Sequence, residues 1–230
     1  MSTLTSKKCK VQKHTPPLSP KENKGGGFWF VLLFVVIFGL WVVSVVPSEK
    51  EPETEPKTTE EFRLAPWIEP MLLEVDGVSR RGENLEALNN LVVHYVGNPN
   101  TTAVANRNWF NSPESETSSH FIVGLEGEVI QCIPLEEKSS ATNERNRDTI
   151  SIEVCHPDES GKFSDVTRKS LVRLLAFLCE ELDLTEEDII RHYDVTGKLC
   201  PLYYVENEDE WLLLKADVKR ALEGEALWEE

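Results

Sequence analysis

Nineteen consecutive residues, Phe28 to Val46 (FWFVLLFVVIFGLWVVSVV), carry no charge. As a helix rising 1.5 Å per residue, such a run is about 28 Å long, close to the hydrocarbon thickness of a bilayer. Trp29 and Trp41 lie towards its ends, where aromatic side chains favour the interface. A cleaved signal peptide would have a shorter apolar region and a small-residue cleavage site. WVVSVVPSEK offers no convincing small-x-small pair, so the run is expected to be a retained transmembrane anchor. Charge then sets the orientation. Residues 1–27 hold six lysines against one glutamate, whereas residues 49–62 hold six glutamates against two lysines. The positive-inside rule places the N-terminus in the cytoplasm and everything after Pro47 outside.

Four segments follow. Residues 1–27, with Pro16, Pro17, Pro20 and Gly25–Gly27, are expected to form a basic, disordered cytoplasmic tail. Residues 28–46 are the anchor in the lipid bilayer, and the Pro/Glu stretch 47–62 is an extended acidic spacer. Residues 63–230 are long enough for one sizeable core. This last segment has 16 basic against 33 acidic side chains, a net −17, which would repel a phosphate backbone. Nucleic-acid partners are excluded on that ground.

Within 63–230 the patterning alternates between strand and helix. Leu91–Val96 is expected to be a strand and TAVANRNWFN a short helix, while SSHFIVGLEGEVIQCIP reads as a hairpin turning at Glu126-Gly127. DTISIEVCHP puts Ile150, Ile152 and Val154 on one face of a strand and Thr149, Ser151, Glu153 and Cys155 on the other. SDVTRKSLVRLLAFLCEELDL has leucines at helical spacing behind Ser164 or Asp165 as cap. DIIRHYDV reads as a strand and DEWLLLKADVKRALEG as a closing helix. The expected fold class is α/β, a mixed central β-sheet flanked by helices.

His94, His192 and Cys200 are the residues whose chemistry stands out. Two imidazoles and a thiolate suit Zn²⁺, and three protein ligands leave a fourth position open for water. Taken singly, a histidine at a strand end can equally be structural and a lone cysteine inert. Glu153 interrupts an Ile/Val strand: it could accept a proton from water, or be a solvated sheet-edge carboxylate. Lys198 could reach a developing oxyanion, or be an ordinary turn lysine. Asn143, Glu144, Arg145 and Asn146 could line a cleft or form a solvated loop. His120 is expected to be chiefly structural, and His156 is not expected to be a ligand. Cys132, Cys155 and Cys179 read as small apolar residues, without a disulfide framework.

LVVHYVGNP, SSHFIVGLEGEVIQCIP, DTISIEVCHPD and RHYDVTGKLCP, in this order and spacing, resemble the type-2 N-acetylmuramoyl-L-alanine amidase family. Its zinc-amidase fold is shared by phage endolysins and peptidoglycan recognition proteins. The resemblance runs from about Leu88 to Val205. It implies that His94, His192 and Cys200 bind Zn²⁺, that Glu153 activates water, and that Lys198 stabilises the tetrahedral intermediate. The implied substrate is peptidoglycan, cut at the amide between N-acetylmuramic acid and L-alanine. Two positions depart from the pattern. Some members carry a tyrosine where this chain has Ser119, and a histidine in the loop that here reads SSATNERN. The expectation is therefore a zinc-dependent cell-wall hydrolase, single-pass in a bacterial cell membrane with its active domain outside. The alternatives are a non-catalytic muropeptide receptor of the same fold, a released lytic enzyme, or a structural zinc protein.

Overall fold

The structure, a computed structural model, describes residues 64–75 and 78–228. The expected tail, anchor and spacer (1–62) lie outside the described residues. Among the described residues, no helix is long and apolar enough to cross a membrane.

The described chain builds a six-stranded sheet. Its strands are β1 (Ile68–Pro70), β2 (Asn90–Val93), β3 (Phe121–Val123), β4 (Val129–Gln131), β5 (Thr149–Val154) and β6 (Ile189–Arg191). They are ordered β1-β4-β3-β5-β2-β6. Only the β3–β4 hairpin is antiparallel, turning through Gly127 at φ +83°; the other neighbours run parallel. The sheet is mixed, as its sequence patterning implies.

Helices cover both faces. α2 (Asp165–Leu182) starts at Ser164, whose hydroxyl accepts the Thr167 N–H. Its Leu171, Leu174, Leu175 and Leu178 pack with α5 (Glu208–Leu222) onto Ile150, Ile152 and Val154 of β5. The opposite face carries α1 (Ala103–Phe110), whose Ala103 and Phe110 join Ile122, Ile130 and Cys155 in a second cluster. The alternation in β5 thus holds: its aliphatic side seals the main core, and its polar side lies under the α1 layer. Cys132, Cys155, Cys179 and Cys200 are all buried free thiols.

Two expectations on strand length need correction. β2 ends at Val93, not Val96, although the His94 and Val96 N–H groups still donate to Ile152 and Val154 carbonyls of β5. Pairing is lost only on the β6 side. There the expected strand DIIRHYDV ends at Arg191, and His192–Thr196 is a helix, α3. The cause is local: the Asp194 carboxylate accepts the backbone N–H of Arg191 at 2.8 Å, closing a helix N-terminus where a strand pattern would have continued. α4 (Leu202–Glu206) follows after a cis Cys200–Pro201 bond.

Leu174 is fully enclosed between α2 and the sheet. Leu174→Ala is expected to cost about 2–5 kcal/mol of stability, measured by chemical denaturation, through lost burial and a residual cavity.

Candidate metal centre

The register of three parallel strands assembles the site. Val93 of β2 lies level with Ile152 of β5 on one side and Arg191 of β6 on the other. The next residues along these strands, Glu153, His94 and His192, are therefore level too, and residues level across parallel neighbours share a face. Strands about 4.8 Å apart should hold such rings nearly in contact, and the His94 and His192 ring centroids are 4.6 Å apart.

Cys200 arrives from the other direction. α3 closes at Gly197, left-handed at φ 76°, and the chain doubles back so that the Cys200 carbonyl accepts the Tyr193 N–H at 2.9 Å. This turn sets Cys200 Sγ 3.8 Å from His94 Nδ1. One ligand-capable atom from each of His94, His192 and Cys200 lies within 4.8 Å of the other two. Nitrogen and sulfur ligands of one tetrahedral zinc stand about 3.6 Å apart, so the His94–Cys200 pair already lies close to that spacing and the trio is gathered tightly enough to close on such an ion.

Protonation agrees with that donor set. Burial, reinforced by His192 and Lys198, pushes the His94 pKa well below the ordinary imidazole value. His192 is lowered by burial and by Lys198. Both shifts favour the neutral ring, the form that ligates. Burial and the Glu153 charge push the Cys200 thiol up to about 12, against the opposing pull of the Tyr95 backbone N–H and Lys198. A cation held there would displace that proton. His192 Nδ1 is enclosed and has no hydrogen-bond partner, which leaves its lone pair available to a metal ion.

Glu153 completes the group. Its side chain is partly accessible as a whole, but Oε2 is enclosed and unpartnered. Burial raises its pKa to about 8, with Lys198 pulling in the opposite direction. Lys198 lines the same cleft, about 240 Å³ in volume, with His94, Glu153, His192, Cys200 and the exposed Trp109. All five residues singled out from the sequence thus meet in one place. A larger cleft, about 680 Å³, lies against α2 and α5; Trp67, Arg173 and Trp228 are among its walls, and no histidine or cysteine lines it.

The remaining candidates separate cleanly. His120 is buried, accepts the Ser151 N–H at Nδ1 and donates from Nε2 to the Glu137 carbonyl, and burial lowers its pKa to about 4. It is a neutral structural group; His156, which bonds the Asp158 carbonyl and stacks on Tyr95, lies outside the cluster. Ser119 is buried and donates to the Phe121 carbonyl. Of the segment Asn143–Asn146, Asn143 reaches His192 instead of lining the cleft. Thr142 Oγ1, beside it, lies 3.3 Å from His94 Nε2. Nothing in the sequence pattern signals these two contacts; a Thr-Asn pair in a polar loop is too common to be informative.

The family model described as N-acetylmuramoyl-L-alanine amidase matches residues 84–202. Among curated relatives, the chain is 27% identical over 167 residues to N-acetylmuramoyl-L-alanine amidase CwlL of Bacillus licheniformis, covering 65% of this chain and 46% of that protein. It is 28% identical over 176 residues to N-acetylmuramoyl-L-alanine amidase BlyA of Bacillus subtilis (strain 168), covering 67% and 47%. The chain spans about half the length of these two relatives. Among solved structures, a mutant endolysin from Bacillus subtilis superposes with a TM-score of 0.58 at 25% identity, over 66% of this chain and 97% of that one.

The raised pKa of Glu153 has a consequence for stability. A carboxyl that holds its proton more tightly when folded than when unfolded weakens the fold as pH rises from its unfolded value, near 4.5, towards about 8. Glu153→Gln mimics the protonated form. In metal-free protein it is expected to stabilise at pH 8 by up to a few kcal/mol, and to leave stability unchanged near pH 4. Thermal unfolding of both proteins across that range checks this.

Proposed function

The chain belongs to the N-acetylmuramoyl-L-alanine amidase family, and on that premise we propose that it hydrolyses the amide joining N-acetylmuramic acid to L-alanine of peptidoglycan. The observation that carries this reading is the enclosed, unpartnered Glu153 oxygen in the same cleft as three clustered metal-capable side chains. The residues fit zinc. His94 and His192 would hold it through Nδ1, and Cys200 through its thiolate. Bound there, the ion would supply Lewis acidity, making water more acidic and drawing electron density from a carbonyl oxygen.

The chain's own residues do the rest. Glu153 Oε2 accepts a proton from water as the water oxygen attacks the lactyl carbonyl carbon. Lys198, exposed where it lines the cleft, offers positive charge to the oxygen that becomes anionic. The carbon–nitrogen bond then breaks, and the proton held on Glu153 passes to the departing amine of L-alanine. In metal-free protein, burial raises the proton affinity of Glu153 above that of an ordinary carboxylate, the direction that favours taking up a proton from water.

Residues 28–46 are proposed to anchor the chain in the bacterial cell membrane, with residues 1–27 cytoplasmic, residues 47–62 a spacer and residues 63–230 outside. The 19-residue charge-free run and the lysines preceding it support this arrangement. On membrane fractionation the full chain should pellet with membranes and resist extraction at high salt. Recovery in the soluble fraction would remove the anchor from the proposal.

The activity is tested on purified peptidoglycan with the full chain in detergent. Mass spectrometry should find free stem peptides beginning with L-alanine, lost on chelation and restored by zinc. Glu153→Gln should retain zinc and lose about 10²–10⁴-fold in rate, whereas Cys200→Ser should bind zinc more weakly. Zinc-loaded, folded protein that binds peptidoglycan and releases no peptide would make the chain a receptor.

A further inference from the structure

A single dipeptide touches both histidines of the site. Thr142 Oγ1 lies 3.3 Å from His94 Nε2, and Asn143 Oδ1 lies 3.2 Å from His192 Nε2. An amide oxygen can only accept, so His192 Nε2 must carry the ring proton and Nδ1 a bare lone pair. That Nδ1 is the enclosed, unpartnered atom. For His94, the same arrangement leaves Nδ1 facing Cys200 Sγ at 3.8 Å. Both rings therefore present the same nitrogen inwards because both are held by the other nitrogen from behind.

The dipeptide is itself held firmly. Thr142 is fully buried, and its N–H and that of Ala141 both donate to Asn146 Oδ1, at 2.6 and 3.0 Å. Asn143 has φ +54°, a left-handed conformation that asparagine tolerates better than most residues. The 3₁₀ turn it opens, Asn143–Arg147, is tied to the sheet: Arg145 donates to Asn90 at the start of β2, and Thr149 at the start of β5 donates to the Arg145 carbonyl. The turn is thus fastened to two of the three strands that carry the site.

We propose that Thr142 and Asn143 are positioning residues, Thr142 fixing the orientation of His94 and Asn143 the orientation and tautomer of His192, and that through these rings they set the zinc affinity of the chain. The inference rests on reading His94, His192 and Cys200 as the metal ligands. Partners of this kind, bonded to the far nitrogen of a ligating imidazole, are worth about 10–100-fold in metal affinity.

The test uses the full chain in detergent, with zinc affinity measured by chelator competition and histidine tautomers read in metal-free protein from side-chain ¹⁵N shifts. Thr142→Val keeps the branched shape without the hydroxyl. Asn143→Gly keeps the left-handed backbone without the amide, and Asn143→Asp keeps an acceptor. The first two variants should bind zinc about 10–100-fold more weakly. Asn143→Asp should bind at least as tightly as the parent. In metal-free protein His192 should be the Nε2–H tautomer, become mixed in Asn143→Gly, and return in Asn143→Asp. Unchanged zinc affinity in both Thr142→Val and Asn143→Gly would overturn the proposal, as would a His192 tautomer indifferent to residue 143. A parent chain that takes up no zinc would instead overturn the metal reading, and this inference with it.

Discussion

The parallel register of β5, β2 and β6 is the constraint on which the rest depends. Hydrogen bonding that makes Val93 level with Ile152 and Arg191 also makes His94 level with Glu153 and His192. A slip of one residue in either pairing would turn a site residue to the opposite face, into the aliphatic layer beneath α2. The main core prevents that slip. Ile150, Ile152 and Val154 can bury themselves only in one phase, and that phase presents Glu153 to the cleft. Hydrophobic burial on one side of the sheet therefore determines the chemistry on the other, with no need for the site to contribute stability of its own.

What the site contributes is unfavourable. Burial raises the Glu153 pKa to about 8, keeping the carboxyl from the ionised state it would adopt in water at pH 7, and its enclosed oxygen has no partner. The surrounding fold compensates through well-satisfied bonds close by. Arg191, which precedes His192, is buried and donates to Asp194, Glu208 and the Tyr204 carbonyl. It locks the strand end to the helices behind it. His120, bonded to Ser151 of β5 and to the Glu137 carbonyl, has both ring nitrogens satisfied and is neutral near pH 7.

Residues in the sequence made much of this legible, and the exceptions share a cause. The β5 alternation, the Glu126-Gly127 turn and the Ser164 cap are local signals read within a few residues, and all three match the structure. β1 escaped because three residues ending in proline show no period. The end of β6 was misjudged because apolar periodicity outweighed one short-range bond, Asp194 to the Arg191 N–H. The approach of Thr142 to His94 crosses 48 residues, a separation at which neither residue type nor spacing carries information. His94, His192, Cys200, Glu153 and Lys198 were legible together only as a motif set; individually each had an ordinary structural explanation.

The outermost strands have a bearing on crowding. β1 and β6 are the two edges of the sheet, and each is only three residues long. Pro70 has no N–H to offer at one edge, and the other is cut short where α3 begins at His192. Short, interrupted edges are poor templates for strand addition by a second copy. For a domain tethered to a surface, as proposed, copies diffuse in two dimensions and meet far more often than in free solution. Blunted sheet edges would let such a population reach high lateral density without joining into continuous sheets.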